Sequence, residues 1–385
     1  MSVWDDVIGQ PSVVAELQHA VADPRAMTHA WLITGPPGSG RSNAARAFAA
    51  ALECEQGGCG ECAQCRTVLV GSHPDVTLVT TEKVTISIGE VRELIGAASR
   101  TPSAGRFRVI IVEDADRMQE RTTNVLLKAI EEPPPATVWI LCAPSPLDVL
   151  PTIRSRCRQV GLRVPAAEAV AELLERRDGV PADLALAAAR AAASHVGMAR
   201  RLARDAGARE RRSAVLSVAT RVRGVGDAVV AAKELADVAK AEAEAATGER
   251  DAAERAELLH ALGVPAGEAV PPKLRSQVKQ LEEEQKRRAT RRHRDVLDRA
   301  MLDLLSCYRD VLVLQLGAGD DPDVHLVNGL FAADAAVVRT LAADSTPEQT
   351  IRRMDAVGEA RSRLAGNVPP LLVLEAMCVA LRPQG

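Results

Sequence analysis

Gly35-Pro36-Pro37-Gly38-Ser39-Gly40-Arg41-Ser42 follows a short apolar run, Ala30-Trp31-Leu32-Ile33, and opens into Ser42-Asn43-Ala44-Ala45-Arg46-Ala47-Phe48-Ala49, which reads as a helix. Strand, glycine-rich loop and helix start come in the order that a phosphate-cradling loop needs. Glycines let backbone N–H groups turn inward, and the helix N-terminus favours an anion. The consensus G-x-x-x-x-G-K-[ST] is met at every position but one. Arg41 stands where a lysine should reach the β- and γ-phosphates. A guanidinium keeps the charge but is longer, planar and forked. Backbone amides and Ser42 still offer a seat for a nucleotide, whereas phosphoryl transfer is expected to suffer.

Working outward, the loop's helix is followed by Cys54, Cys59, Cys62 and Cys65, a C-x4-C-x2-C-x2-C run with glycines where a chain folds back. Four thiolates at this spacing satisfy a closed tetrahedral zinc site, which is structural rather than catalytic. His73, next to a set already complete, is expected to hydrogen-bond to backbone rather than join it. Val76–Val79 reads as a strand, Ile88 to Ala98 as a helix, and Arg108–Val112 as a strand buried on both faces of a parallel sheet. Glu113 and Asp114 end that strand, where open α/β sheets place their ligands. They read either as acids that hold Mg²⁺ and orient water, in reversed Glu-Asp order, or as caps for the next helix. Thr122 to Glu131 reads as a helix with a proline stop, and Thr137–Cys142 as a second buried strand. A basic cluster, Arg154-Ser155-Arg156-Cys157-Arg158, follows.

Composition sets the bounds. At 385 residues the chain has room for two or three domains. Hydrophobic content is 47% but aromatics only 2%, so cores of Ala, Leu and Val in close-packed helices are expected, and base-stacking platforms are not. The net charge of −3 leaves no global footprint for DNA. No apolar run reaches membrane-span length, and Met1–Asp6 lacks a signal peptide's basic and apolar regions, so a cytoplasmic protein is expected. No pair of acids suits two-metal nucleotidyl transfer, so polymerase chemistry would belong to any complex rather than to this chain.

Four features together resemble the delta-prime family of bacterial DNA polymerase III clamp-loader subunits, in the AAA+ superfamily related to gamma/tau. They are the cysteine knuckle, Ser72-His73-Pro74-Asp75, the Leu126-Leu127-Lys128…Glu131-Glu132-Pro133-Pro134 helix, and Ser155-Arg156-Cys157, across roughly residues 4–205. The resemblance implies an α/β AAA+ core over 1–162, a parallel sheet with helices on both faces and a zinc knuckle inserted at 54–65. A small α-helical lid over 163–207 and an all-α collar over 208–385 would follow. It implies a pentameric loader, with gamma/tau and delta partners, that places the sliding clamp on primed DNA. Arg156 would act in trans as an arginine finger. Arg41, the Glu113-Asp114 order, Ala143 at the first sensor position and Gly197 at the second all depart from the ATP-hydrolysing pattern. They point to a stator whose own ATP/Mg²⁺ site, Gly35 to Ser42 with Glu113 and Asp114, is weak or non-hydrolysing.

The second half reads as helical, with Leu297, Met301, Leu304, Leu305, Tyr308 and Leu312 at helical spacing. Lys233 to Glu257 is rich in Ala, Glu, Lys and Arg and is expected to break at Gly248. Val264 to Pro272 reads as a turn-rich link, and Glu282–Glu284 runs into a basic stretch ending at Arg294. The segment from about 240 to 295 looks like a charged insertion in the collar.

Overall fold

The computed structural model describes residues 2–80, 85–262, 264, 270–271, 274–317, 326–366 and 368–383. The chain forms two compact units, Met1–Arg204 and Asp205–Gly385.

The first unit is built on five parallel strands: β1 (Ala30–Thr34), β2 (Val76–Val79), β3 (Arg108–Val112), β4 (Thr137–Ala143) and β5 (Arg158–Gly161), in the order β2-β3-β4-β1-β5. Ala30 pairs with Trp139, Trp31 with Arg158 and Val76 with Val109. β1, β3 and β4 are buried along their whole length, as unbroken apolar runs in a two-faced sheet must be. Alternate residues serve opposite faces. Trp31, Ile33, Val109, Ile111 and Ile140 pack on α1 (Pro11–Ala22), α2 (Arg41–Glu53) and α3 (Ala63–Val70). Leu32, Ile110, Val112, Trp139 and Leu141 pack on α4 (Ile88–Ala98), α5 (Glu120–Glu131) and the short α6 (Pro151–Arg154). Three helices close the unit: α7 (Ala167–Asp178), α8 (Ala182–Ala191) and α9 (Val196–Arg204).

The fold class expected from the sequence is the one observed, with the cysteine segment inserted between α2 and α3. α1 starts at Pro11, as proline is preorganised for the first helical position. β4 runs one residue past the expected Cys142, to Ala143. α5 starts at Glu120, two residues before the expected Thr122.

The second unit is helical: α10 (Ala206–Arg221), α11 (Val225–Ala261), α12 (Arg275–Gln315), α13 (Ala332–Asp344), α14 (Pro347–Ala365) and α15 (Pro370–Leu381). Leu297, Met301, Leu304, Tyr308 and Val311 of α12 form its central stripe. Leu312, expected there, lies at the margin beside Val311. The expected break at Gly248 does not occur, and α11 runs through it. One helical glycine costs only about 1 kcal/mol against alanine, which a 37-residue helix paired with a partner helix absorbs. The link from Val264 to Pro272 lies mostly outside the described residues.

Candidate functional site

β1 ends at Thr34, and residues 35–40 carry the chain to α2, whose N-cap is Gly40 at φ +90°. Gly38, at φ +88°, is also left-handed, a conformation that strongly favours glycine. A side chain there would place its Cβ 2.8 Å from the Cα of His195. His195 comes from the turn between α8 and α9, where Ala193 and Ser194 also take positive φ. At Gly35 a Cβ would lie 2.6 Å from Ser39 Oγ and 2.9 Å from the Leu162 carbonyl. Neither the His195 nor the Leu162 approach is legible in the sequence, because each joins segments far apart along the chain.

Gln10 was also missed. Its buried amide donates to the Arg163 carbonyl at 2.6 Å and the Ser39 carbonyl at 3.4 Å, and accepts from Arg163 N–H at 3.1 Å. One side chain thus ties the segment after β5 to the loop. The one available signal was a glutamine directly before Pro11, left idle by a helix that uses no side-chain cap.

Within the loop, Pro36 and Pro37 are exposed, while Ser39 is 2% exposed with an Oγ that has no hydrogen-bond partner. Arg41 opens α2 with a buried Nη1 that likewise has none. Two unsatisfied buried donors beside glycine-loop amides at a helix start fit an oxyanion such as a phosphate. Ser42 follows in the first turn of the helix.

Glu113 and Asp114 lie at the C-terminal end of β3, on the same sheet edge as the loop, as expected. Both are engaged. Arg46 of α2 reaches Glu113 at 3.1 Å, with the carboxylate side chain only 10% exposed. Arg117 meets Asp114 at 3.4 Å. Burial raises the carboxyl of the neighbouring Asp116 above its usual range; Asp114 adds to this and Arg41 opposes it. The carboxylates therefore already have cationic partners inside the protein. Ala143 ends β4, and its carbonyl accepts from Gly35 N–H at 3.3 Å. Gly197 lies in the first turn of α9.

Arg156 is separate from this group. It is exposed just beyond α6, with an ion pair to Glu131 and a 2.8 Å bond to the Thr152 carbonyl. The other arginines of the cluster serve the fold: Arg158 binds Glu16 and the Ala26 carbonyl and lies over the Trp31 ring.

Cys54, Cys59, Cys62 and Cys65 converge, with all four Sγ atoms within 4.8 Å of one another. The Cys54–Cys59 and Cys54–Cys62 sulfur distances are 3.7 and 3.8 Å. A tetrahedral ion with bonds of about 2.3 Å sets its sulfurs about 3.8 Å apart. Backbone N–H groups of Cys59, Cys62 and Cys65 each point at the preceding cysteine sulfur, at 3.5, 3.3 and 3.3 Å. Burial alone would raise the Cys54 thiol, but N–H donors of Cys59, Gly58 and Gln56 outweigh it and bring it down to about 6. The cluster can hold a metal such as zinc. The N-terminal turn docks on it, through Val3 N–H to the Gly58 carbonyl at 3.0 Å and Trp4 Nε1 to the Gly57 carbonyl at 3.1 Å.

His73 is not a fifth ligand. Its Nδ1 accepts from Asp75 N–H at 3.1 Å, so the proton sits on Nε2, which donates to Gln64 at 2.6 Å. Asp75 is fully buried and gathers N–H bonds from Ser103, Ala104 and Gly105, with Arg108 at 3.3 Å. The Ser-His-Pro-Asp stretch thus pins the loop before β3.

Fold and site together define a phosphate-loop α/β protein with a cysteine knuckle and a crowded loop. Residues 9–166 match the family described as DNA polymerase III, delta subunit. DNA polymerase III subunit delta' of Pseudomonas aeruginosa is 38% identical over 154 residues, covering 38% of this chain and 47% of that one. Subunit gamma/tau of Mycobacterium tuberculosis is 34% identical over 186 residues, 46% of this chain and 32% of that one. Among solved structures, a gamma subunit-related protein of Thermotoga maritima aligns over 91% of this chain and 99% of its own, with 16% identity and a TM-score of 0.38. Over the matched region this chain is similar to the delta' and gamma/tau subunits of DNA polymerase III. It spans less than half the length of the curated relatives it matches.

Proposed function

We propose that the chain is the delta-prime stator of a cytoplasmic DNA polymerase III clamp loader. In this reading it assembles with gamma/tau and delta subunits and helps load the sliding clamp onto primed DNA, without robust ATP turnover of its own. The observation that supports it most is the Arg46–Glu113 pair at 3.1 Å. An acid at that place must hold Mg²⁺ or orient the attacking water, and here it is neutralised by an arginine from the loop's own helix. Arg41 and the His195 approach to Gly38 add to this. A nucleotide at residues 35–42 would be a structural ligand, held by loop amides, Ser39 and Arg41.

In this reading Arg156 is the trans-acting finger. Its pair with Glu131 is solvent-exposed on both sides, and exposed pairs are worth roughly 0.2–1 kcal/mol, so exchanging Glu131 for a phosphate on a neighbouring subunit costs little. The four cysteines hold a structural Zn²⁺ with no open coordination position. Residues 163–207 serve as the lid, and 208–385 as the collar.

The test is steady-state ATP hydrolysis by the purified chain and by Arg41→Lys, then Arg156→Ala in a reconstituted loader. No turnover by either single chain and loss of loader ATPase with Arg156→Ala are expected. Clear turnover by the unmodified chain overturns the stator reading. It would favour an ATP-hydrolysing gamma/tau-like motor, the alternative suggested by the identity to gamma/tau relatives.

A further inference from the structure

The charged insertion is an arm. The apolar core of the second unit reaches Ala239 on α11 and begins again at Leu297 on α12. From Glu244 to Val296, Val264 and Val278 are the buried side chains among the described residues. From Leu297 back to Arg275, α12 extends about 33 Å at 1.5 Å per residue. Polar pairs zip this length to α11. Arg288 meets Asp251 at 2.7 Å and Glu254 at 2.5 Å, Gln285 donates to the Asp251 carbonyl at 2.8 Å, and Arg255 pairs with Glu282.

The seam also sorts the charge. Arg275 to Arg294 carries eight cations against three acids, and Asp251 and Glu254 of α11 turn inward to Arg288. The side chains of Lys279, Lys286 and Arg287 are exposed and have no ion-pair or hydrogen-bond partner among the described residues. At about 100° per residue, these three fall with Thr290 and Glu283 in one arc of roughly 100°, opposite Arg288 and Gln285. Glu283 is the one acid on that face.

Which anion such a face suits follows from what the arm lacks. Val238 and Leu316 bracket it, and among the described residues no large exposed apolar side chain lies between them. Protein partners are held by apolar and aromatic anchors in desolvated pockets, whereas phosphates are held by cations alone. Residues 240–296 contain no aromatic on which an unpaired base could stack. We propose that this outward face of α12, centred on Lys279, Lys286 and Arg287, binds the phosphate backbone of duplex DNA without reading its sequence.

This goes beyond the proposed function and does not depend on it. A chain that hydrolysed ATP, or failed to enter a clamp loader, would keep this affinity. The experiment is fluorescence anisotropy of the full chain, without partner subunits, on a labelled random-sequence duplex over a salt series. The triple variants Lys279→Glu/Lys286→Glu/Arg287→Glu and Lys279→Gln/Lys286→Gln/Arg287→Gln are compared, with circular dichroism as the check on folding. Three phosphate contacts contribute a slope of about 2.7 in log affinity against log salt, or about 40-fold between roughly 50 and 200 mM. Both triple variants are expected to lose that slope while keeping their helix content, and single-stranded DNA is expected to bind more weakly than duplex. No duplex binding by the unmodified chain at low salt, or an unchanged slope in folded variants, overturns the proposal. Equal affinity for poly-glutamate also overturns it, in favour of an acidic protein partner.

Discussion

Arg212 offers a sharp test of how the second unit is held together. Its guanidinium, 4% exposed, donates to Asp303 at 3.1 Å, Asp334 at 2.5 Å and Asn328 at 2.5 Å. Asn328 in turn donates its backbone N–H and side-chain amide to the fully buried Asp310, at 2.7 and 2.8 Å. One cation from α10 thereby joins α12, α13 and the segment before α13. Arg212→Met keeps much of the apolar stem but takes a close cation from two interior carboxylates, leaving Asp303 with Arg299 at 3.9 Å. Removing one partner of a buried pair costs about 3–5 kcal/mol, and two acids lose a close partner here, so a loss of about 4 kcal/mol or more is expected at neutral pH. Burial already raises the Asp334 carboxyl and Arg212 opposes that, so the variant raises it further. A carboxyl whose folded pKa lies above its unfolded value gives stability that is present at low pH and lost as pH rises through the folded value. The deficit should therefore shrink as pH falls from about 7 to about 5. Urea unfolding followed by circular dichroism at both values measures it. A loss below about 1 kcal/mol, or a deficit that grows on acidification, refutes the reasoning.

Gly38→Ala should cost the first unit about 2–3 kcal/mol, combining a left-handed penalty of about 1–2 kcal/mol with the contact against the His195 backbone; a thermal melt of the full chain reads it. Cys62→Ser should lower bound metal per chain, measured by elemental analysis, and expose Trp4, whose indole rests on the knuckle at Gly57, giving a red-shifted emission. Asp75→Asn removes a carboxylate that burial would raise but that N–H donors of Ala104, Ser103 and Gly105 hold at about 2. Its contribution, about 2 kcal/mol, is present above the ordinary carboxylate range and lost as pH falls through about 2, so the variant should differ most from the parent at neutral pH and converge with it in acid.

The elements that local chemistry dictates were legible from the chain alone. Val76–Val79, Arg108–Val112 and Ile88–Ala98 have the bounds the sequence implied, because unbroken apolar runs and helical spacing record burial directly. The four cysteines announce their cluster for a similar reason: metal-ligand spacing is short-range. The glycine loop was equally plain, since the left-handed backbone at residues 38 and 40 strongly favours glycine. What those parts do to one another was not legible. Arg46 and Glu113 are 67 residues apart, and Gln10 and Arg163 are 153 apart. Those meetings depend on a strand order, β2-β3-β4-β1-β5, that no local window encodes. The same holds for Gly248, where local propensity favours a break and pairing of α11 with α12 overrides it. Sequence by itself determined the parts, through backbone geometry, side-chain burial and ligand spacing. Tertiary structure decided whether the acids at the end of β3 stand free or paired, and which side of α12 keeps its cations, because both depend on partners brought in from far along the chain.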